Sequence, residues 1–165
     1  YPKGLDIPKD ITPPEGNCFK FSLFTSGFLW YKCTNHTWVP SEARLLYFND
    51  QNDTSSYPCS AVASTFNVPA PGSGIRSIIP KDNSSLVVTT VAEHPTHDSK
   101  DLPWALGKAS DNEGEEAFED ITFLVRVNTC GGVVPSNVKC GSDCSEGHIY
   151  STIFSSLVLF YHHSK

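Results

Sequence analysis

The segment between Ile121 and Tyr161 constrains the fold of this 165-residue chain more than any other segment does. Residues 121–127 alternate in character, and four apolar side chains fall on one face: Ile121, Phe123, Val125 and Val127. Thr122 and Arg126 fall on the other face, with Leu124 as the exception. A period of two is typical of a strand buried on one side. The segment therefore predicts one strand, and the apolar, β-branched run 149–161 predicts a second.

The residues that connect these two strands favour a turn. Gly131 and Gly132 accept positive φ angles, and Pro135 has no amide hydrogen to donate to a sheet. The connection and its borders also hold three cysteines: Cys130, Cys140 and Cys144. We therefore predict a closing hairpin, clamped by disulfides, around which the chain is organised.

The rest of the chain repeats the β pattern. We find eight or nine short β-like runs separated by turn signals, and no convincing amphipathic helix. Residues 18–24 and 28–33, for example, predict two strands with a turn at Ser26-Gly27. We predict an all-β fold: a single-domain antiparallel sandwich or barrel with long loops, stapled by disulfides and spanning residues 18–165. Residues 1–17 precede it as an extended N-terminal lead-in.

Charge excludes some partners. The net charge is -6 and the basic residues form no cluster, so the phosphate contacts that nucleic-acid binding needs are missing. We expect no nucleic-acid partner. No run of about 18 apolar residues occurs, so we also expect no membrane span.

Cysteines and sequons favour a secreted protein. The six cysteines, an even number, predict three disulfides with 15 possible pairings: Cys18, Cys33, Cys59, Cys130, Cys140 and Cys144. Three Asn-x-Ser/Thr sequons in polar stretches predict glycosylation sites: Asn35, Asn52 and Asn83. The chain starts Tyr-Pro-Lys and contains no methionine. We interpret it as a mature, extracellular glycoprotein whose signal peptide has been removed.

Several landmarks resemble a family of small secreted proteins of unknown function, common in fungi and also seen in bacteria. The landmarks are Trp30-Tyr-Lys-Cys33 with Trp38 and Glu42-Ala-Arg-Leu, Leu102-Pro-Trp-Ala-Leu-Gly-Lys-Ala109, Ile121-Thr-Phe-Leu-Val-Arg-Val-Asn-Thr-Cys-Gly-Gly-Val-Val-Pro135 with Cys140, and Ile149-Tyr to Phe160-Tyr161. Residues 50–97 depart from the family pattern. The resemblance implies an all-β secreted domain. It also places Cys33 and Cys140 at family-like positions, which implies that they pair and leaves Cys18 with Cys59 and Cys130 with Cys144.

Catalytic and metal-binding patterns are weak. His94 and His97 with Asp98 are the best metal candidates, because imidazole suits zinc or copper. The proline between the histidines favours a solvated loop instead, so we predict no metal and no cofactor. Five carboxylates cluster in residues 113–120, as a glycosidase pair or a solvated face: Glu113, Glu115, Glu116, Glu119 and Asp120.

Two side chains are candidates for ligand contact. Trp38 lies beside a sequon and Pro40, and we expect it to be the most exposed of the three tryptophans, whereas Trp30 should be buried in a strand. Arg126 interrupts an apolar strand. Its side chain is either an outward-facing polar group or a buried, charge-assisted partner for a carboxylate.

These observations give a leading hypothesis and two alternatives. The leading one is a non-enzymatic extracellular, cell-wall or matrix-associated domain with a binding or structural role, with polysaccharide as its ligand class. One alternative is a secreted hydrolase acting on glycans or esters. The other is a self-assembling extracellular protein, in which residues 153–161 pair between chains if they lie at a sheet edge.

Overall fold

A computed structural model of the chain describes residues 1–51, 61–67, 75–141 and 147–164. Eight antiparallel strands follow one another around a closed barrel: β1 (Asn17–Thr34), β2 (Thr37–Phe48), β3 (Ala63–Asn67), β4 (Ile75–Ile79), β5 (Ser84–His94), β6 (Trp104–Glu113), β7 (Ile121–Gly131) and β8 (Ile149–His163). Each strand pairs with the next, and β8 returns to β1. The prediction of an all-β antiparallel fold is therefore confirmed, in its barrel form.

Helices contribute little to the described chain. The lead-in contains one short 3-10 helix, Lys9–Ile11. Among the described residues, no helix has the length and apolar character needed to cross a membrane.

Strand β1 runs without interruption through Ser26 and Gly27, so the predicted turn at this position is wrong. Gly27 pairs with Leu45 of β2 on one side and with Phe154 of β8 on the other. A Cβ atom on Gly27 would collide with the carbonyl oxygen of Arg44. The glycine is therefore required because β1 and β2 approach each other closely here, and it does not mark a change of chain direction.

The closing hairpin is present, and β8 lies between two neighbours. β7 pairs with β8 over most of its length, and β8 also pairs with β1 from Asn17 to Lys32. The run 153–161 is therefore not at a sheet edge, which was the condition for pairing between chains. From Ser156 to Tyr161 every residue is buried, on both sides of the barrel wall, whereas Ile153 is exposed on the outer side.

Burial of β7 on both sides overturns the predicted one-sided strand. The register shifts between Ile121 and Phe123, so these residues do not share a face. Ile121 joins Leu124 inside the barrel, whereas Val125 and Val127 are fully buried on the outside. Leu124 was an exception to the alternation because this strand has two apolar faces.

One end of the barrel interior is filled by aromatic side chains. Phe118, from the loop between β6 and β7, is fully buried and its ring centroid lies 5.3 Å from that of Phe160. Phe21 stacks on Phe160 at 4.8 Å, and its ring centroid lies 6.3 Å from that of Phe118. We call this group, together with Leu23 and Leu86, the aromatic plug.

A second core lies outside the barrel, beneath the lead-in. Ile11 is fully buried, and Leu5 and Ile7 pack beside it. The covered surface is formed by apolar residues of β6, β7 and β8: Leu106, Val125, Val127, Leu157, Leu159 and Tyr161. The extended lead-in is therefore a packed part of the fold, because it removes this second apolar face from water.

The disulfide between Cys33 and Cys140 is present, as the family resemblance implied. It joins the end of β1 to the loop between β7 and β8 across 107 residues of sequence. Cys18 and Cys130 are exposed, and neither bonds to another described cysteine. Their predicted partners, Cys59 and Cys144, lie outside the described residues, so those two pairings stay predictions.

Candidate ligand site inside the barrel

The barrel encloses a cavity of about 130 Å³ whose lining includes residues from all eight strands. An eight-stranded barrel has an interior just wide enough to be filled by side chains or to hold one small ligand. Beside the aromatic plug, the wall carries small residues that cannot reach the barrel axis: Ala43, Thr65, Ser77, Ala105, Gly107 and Ser156. The cavity is the space that these short side chains leave.

The buried hydroxyls of the wall bond to other groups in the wall. The hydroxyl oxygens of Thr25 and Ser156 lie 2.8 Å apart, and those of Tyr47 and Ser77 lie 3.0 Å apart. Thr65 donates to a backbone carbonyl of β2 at 3.2 Å. Burial raises the pKa of Tyr47, although the bond with Ser77 works in the opposite direction. These hydroxyls are therefore neutral and paired, and the surface facing the cavity is mainly apolar.

Arg126 is the charged residue of this wall. Its Nη2 donates to the carbonyl of Pro103 at 2.7 Å, and its guanidinium carbon lies 5.6 Å from the ring centroid of Phe154. Its Nε is buried and has no hydrogen-bond partner; among the described residues it is the single buried side-chain nitrogen or oxygen in that condition. Burial lowers the pKa of Arg126, and electrostatic interactions with Glu93 and Tyr31 oppose this shift. Arginine stays protonated at neutral pH even so.

Two segments that carry the family resemblance meet around this arginine. Thr129 donates its hydroxyl to the carbonyl of Leu102 at 2.5 Å, and the amide of Leu102 donates to the carbonyl of Gly131 at 2.9 Å. The carboxylate of Asp101 accepts the amide of Gly131 at 2.7 Å. These bonds fix the chain before Pro103, and so they fix the carbonyl that holds Arg126.

Gly132 belongs to the same hydrogen-bond network around Arg126. Its carbonyl accepts bonds from the hydroxyl of Tyr31 at 2.6 Å and from the hydroxyl of Thr152 at 3.0 Å. Its φ is +94°, a conformation that favours glycine. Burial raises the pKa of Tyr31, opposed by the charge of Arg126, so Tyr31 is a neutral donor.

The cavity reaches solvent near Arg126. Arg126 is half-buried and Thr90 is exposed, and both line the cavity. At the opposite end of the interior, Phe118 and Phe160 of the aromatic plug are fully buried. The site is therefore a pocket with an apolar floor and a guanidinium near its mouth.

The tryptophans lie outside this pocket. Trp38 is half-buried, its Nε1 donates to the carbonyl of Val138 at 3.0 Å, and its ring centroid is 6.0 Å from that of Tyr150. Trp30 is also half-buried, and the guanidinium of Arg44 lies 4.3 Å from its ring centroid. The expected burial of Trp30 is therefore only partial, because it points to the outer side of the barrel wall. Of the two predicted contact residues, the structure places Arg126 in the cavity wall and Trp38 elsewhere.

The histidine candidates are not brought together around a metal. The Nδ1 atom of His94 lies 2.9 Å from the carboxylate of Asp10, which ties the lead-in to the end of β5. His97 is exposed. Within the part of the chain that the structure describes, no three histidine, cysteine or acidic side chains are grouped closely enough to hold a metal ion.

The acidic residues of this run contact separate partners. Asp120 pairs with Lys20 at 2.6 Å and with His162 at 3.1 Å. Glu113 ends β6 and lies 3.8 Å from Arg76. Neither carboxylate lines the barrel cavity, which is consistent with a solvated face.

Two of the three sequons occupy exposed hairpin turns. Asn35, between β1 and β2, has a φ of 50°, and Asn83, between β4 and β5, has a φ of 56°. Both residues are exposed, so a glycan attached to either asparagine would extend into solvent. Asn52 lies outside the described residues.

No family model, curated protein or solved structure matches the chain. The resemblance to small secreted fungal proteins therefore stays a prediction. Sequence reasoning singled out Arg126 by its unusual place in an apolar strand, but it missed the cavity. The signal for the cavity is a set of small residues on eight strands, which becomes readable only when the order of strands around the barrel is known.

Proposed function

We propose that this protein is a secreted, non-enzymatic glycoprotein that binds a small, mainly apolar molecule inside its barrel. The observation that carries the proposal is the cavity of about 130 Å³, lined from all eight strands, with the half-buried Arg126 and the exposed Thr90 in its wall. A dry, apolar cavity of similar size, about 150 Å³, is known to bind benzene. The expected ligand body is therefore about the size of one aromatic ring.

Binding is favoured over hydrolysis by the groups that line the cavity. The described wall contains hydroxyls, apolar side chains and one guanidinium, and no histidine, cysteine or carboxylate. A glycosidase needs two carboxylates about 5 to 10 Å apart, and an esterase needs a nucleophile beside a base. The groups of this wall therefore suit ligand binding and not hydrolysis.

An extracellular location is supported by two features. A disulfide spanning 107 residues is typical of an oxidising compartment. The exposed turn positions of Asn35 and Asn83 suit glycosylation. We expect glycosidase treatment of protein from its native source to lower its apparent mass. Unmodified asparagines in all three sequons would remove the glycoprotein part of the proposal.

Binding inside the barrel is tested with a neutral probe, toluene, followed through the amide chemical shifts of the folded protein. We expect saturable shifts at residues of the cavity wall. Ala105 is buried in that wall, so Ala105→Leu places a larger side chain in the space the probe would occupy. This variant should weaken toluene binding by about tenfold or more, a loss of about 1.4 kcal/mol.

The matched control is Thr89→Leu, on the exposed side of β5 and next to the cavity residues Val88 and Thr90. It adds a side chain of the same kind without entering the barrel, so toluene binding should not change. Equal loss of binding in both variants, or no saturable binding by the parent protein, would overturn the proposal.

A further inference from the structure

Arg126 is a charged group whose bonding is incomplete. A buried polar atom without a partner costs about 1 to 3 kcal/mol, and more when the group is charged, so nearly all such atoms in folded proteins are paired. The hydroxyls in the same wall follow this rule, whereas the Nε of Arg126 does not. The bonds that hold Pro103 keep the guanidinium in place. A hydrogen-bond acceptor on a ligand would give the Nε–H of Arg126 the partner it lacks.

The charges near Arg126 define what that acceptor should be. The Arg126 guanidinium carries one positive charge, and it makes no ion pair with any described residue. Glu93 is the nearest carboxylate by register, since it pairs with Ala105, which in turn pairs with Arg126. Glu93 is exposed, and its carboxylate oxygens lie more than 4.0 Å from the guanidinium nitrogens of Arg126. A positive charge that no described carboxylate contacts directly favours a ligand with one negative charge.

Resting on the proposed function, we infer that the ligand is a small monocarboxylic acid with a ring-sized apolar body. Its carboxylate accepts the Nε–H of Arg126 near the mouth, and its apolar body lies against Leu124 and Val158 in the floor. A planar guanidinium matches a carboxylate in geometry as well as in charge. A doubly charged phosphate fits less well, because its second charge would be desolvated without a partner.

The test compares benzoate with benzamide, its neutral isostere, and with toluene as the probe of interior binding, all at pH 7 and one ionic strength. We expect benzoate to bind about tenfold or more tightly than benzamide, because a hydrogen bond to a charged group contributes about that factor. Arg126→Gln should remove this preference, so that benzoate and benzamide bind with similar affinity. Glu93→Gln should strengthen benzoate binding, since it removes the competing negative charge.

The outcomes separate the inference from the proposed function. Toluene binding without a preference for benzoate would overturn the carboxylate and leave the interior site intact. Benzoate binding that Ala105→Leu does not weaken would place the anion outside the barrel and also overturn the inference. Failure of all three probes would overturn both. If Arg126→Gln does not fold, the ratio of benzoate to benzamide affinity in the parent protein still decides the matter.

Discussion

The Nη2 of Arg126 donates to the carbonyl of Pro103 at 2.7 Å, while the Nε of the same side chain is buried without a partner. One donor of the guanidinium is thus anchored to the loop before β6, and another donor is unsatisfied. Nearly all buried donors in folded proteins are paired. The unpaired Nε is therefore the basis of the ligand role proposed for Arg126.

The first prediction concerns the stability of Arg126→Met. Replacing a buried, incompletely paired charge with an apolar residue of similar length is often neutral or stabilising. We expect the free energy of unfolding to stay within about 1 kcal/mol of the parent value or to rise, while benzoate binding is lost. Urea denaturation measures the first quantity and a chemical-shift titration the second.

The control for this variant is Leu159→Ala. Leu159 is fully buried on the outer face, so its truncation should cost about 2 to 5 kcal/mol. If Arg126→Met destabilises the protein as much as Leu159→Ala does, Arg126 is a structural residue and the ligand role assigned to it fails.

The second prediction concerns Gly132, where the chain leaves β7. Its φ is +94°, and an added Cβ would lie 2.8 Å from Leu102 and 2.9 Å from the ring of Phe154. Gly132→Val should therefore cost at least the 1 to 3 kcal/mol of an unfavourable backbone conformation, or roughly 2 to 4 °C of melting temperature per kcal/mol. Differential scanning calorimetry measures the change.

Gly16→Val isolates the packing contribution. Gly16 has a nearly identical φ of +93° with no heavy atom within 4 Å of an added Cβ. It carries the backbone strain without the collision, so it should melt above Gly132→Val. Equal melting temperatures would show that packing around Gly132 does not limit stability.

How far the sequence predicts this fold depends on the range of the signal. The alternation in β7, the apolar, β-branched run of β8 and the turn signals between them predict the hairpin, because neighbouring residues encode all three. The local pattern at Gly27 predicts a turn wrongly, because a glycine that permits close strand approach has the same local appearance. The sequence predicts only an extended lead-in, because the surface on which it packs is created only when the barrel closes.

The candidate site shows the same limit. Arg126 was identified with two opposite interpretations, and the choice depends on which face of β7 lines the interior. The register shift between Ile121 and Phe123 determines that face. Bulges of this kind arise from pairing with another strand and are not encoded by a period of two. The half-burial of Trp38 has a related cause, since its hydrogen-bond partner Val138 lies 100 residues away in sequence.

The third prediction concerns Asp82, which closes the plugged end of the barrel. Its carboxylate accepts the amide and hydroxyl of Ser84 and the amide of Ala117, next to Phe118 of the aromatic plug. Burial works to raise the pKa of Asp82, but these hydrogen bonds outweigh it and hold the pKa below its ordinary value of 3.8. A carboxyl with a lowered pKa stabilises the fold above the ordinary value, and loses that contribution as the pH falls through the lowered one.

Asp82→Asn should therefore reduce the free energy of unfolding by about 1 kcal/mol at neutral pH, a modest value because the group is only half-buried. The difference between parent and variant should be constant from about pH 5 to 8 and shrink below about pH 4. Urea denaturation at several pH values measures it. Asp6→Asn, at an exposed carboxylate of the lead-in, is the control, and a difference that grows on acidification would contradict the assignment.

The fourth prediction concerns the lead-in. Ile11 is fully buried against the outer faces of β6, β7 and β8. Ile11→Ala should lower the free energy of unfolding by about 2 to 5 kcal/mol, measured by urea denaturation. Val91, which is 52% exposed on β5, offers the control Val91→Ala with an expected change of about 0.5 kcal/mol or less. Equal small effects would mean that the lead-in does not belong to the core.

The most direct measurement of the central claim is the position of bound benzoate, read from nuclear Overhauser effects in protein with labelled methyl groups. The account predicts contacts from the ring protons to the methyls of Leu124 and Val158, which line the cavity. Ile153 is 73% exposed on the outer surface and reports on the alternative location. Contacts to Ile153 without contacts to Leu124 and Val158 would contradict the account, because the ligand would then lie outside the barrel.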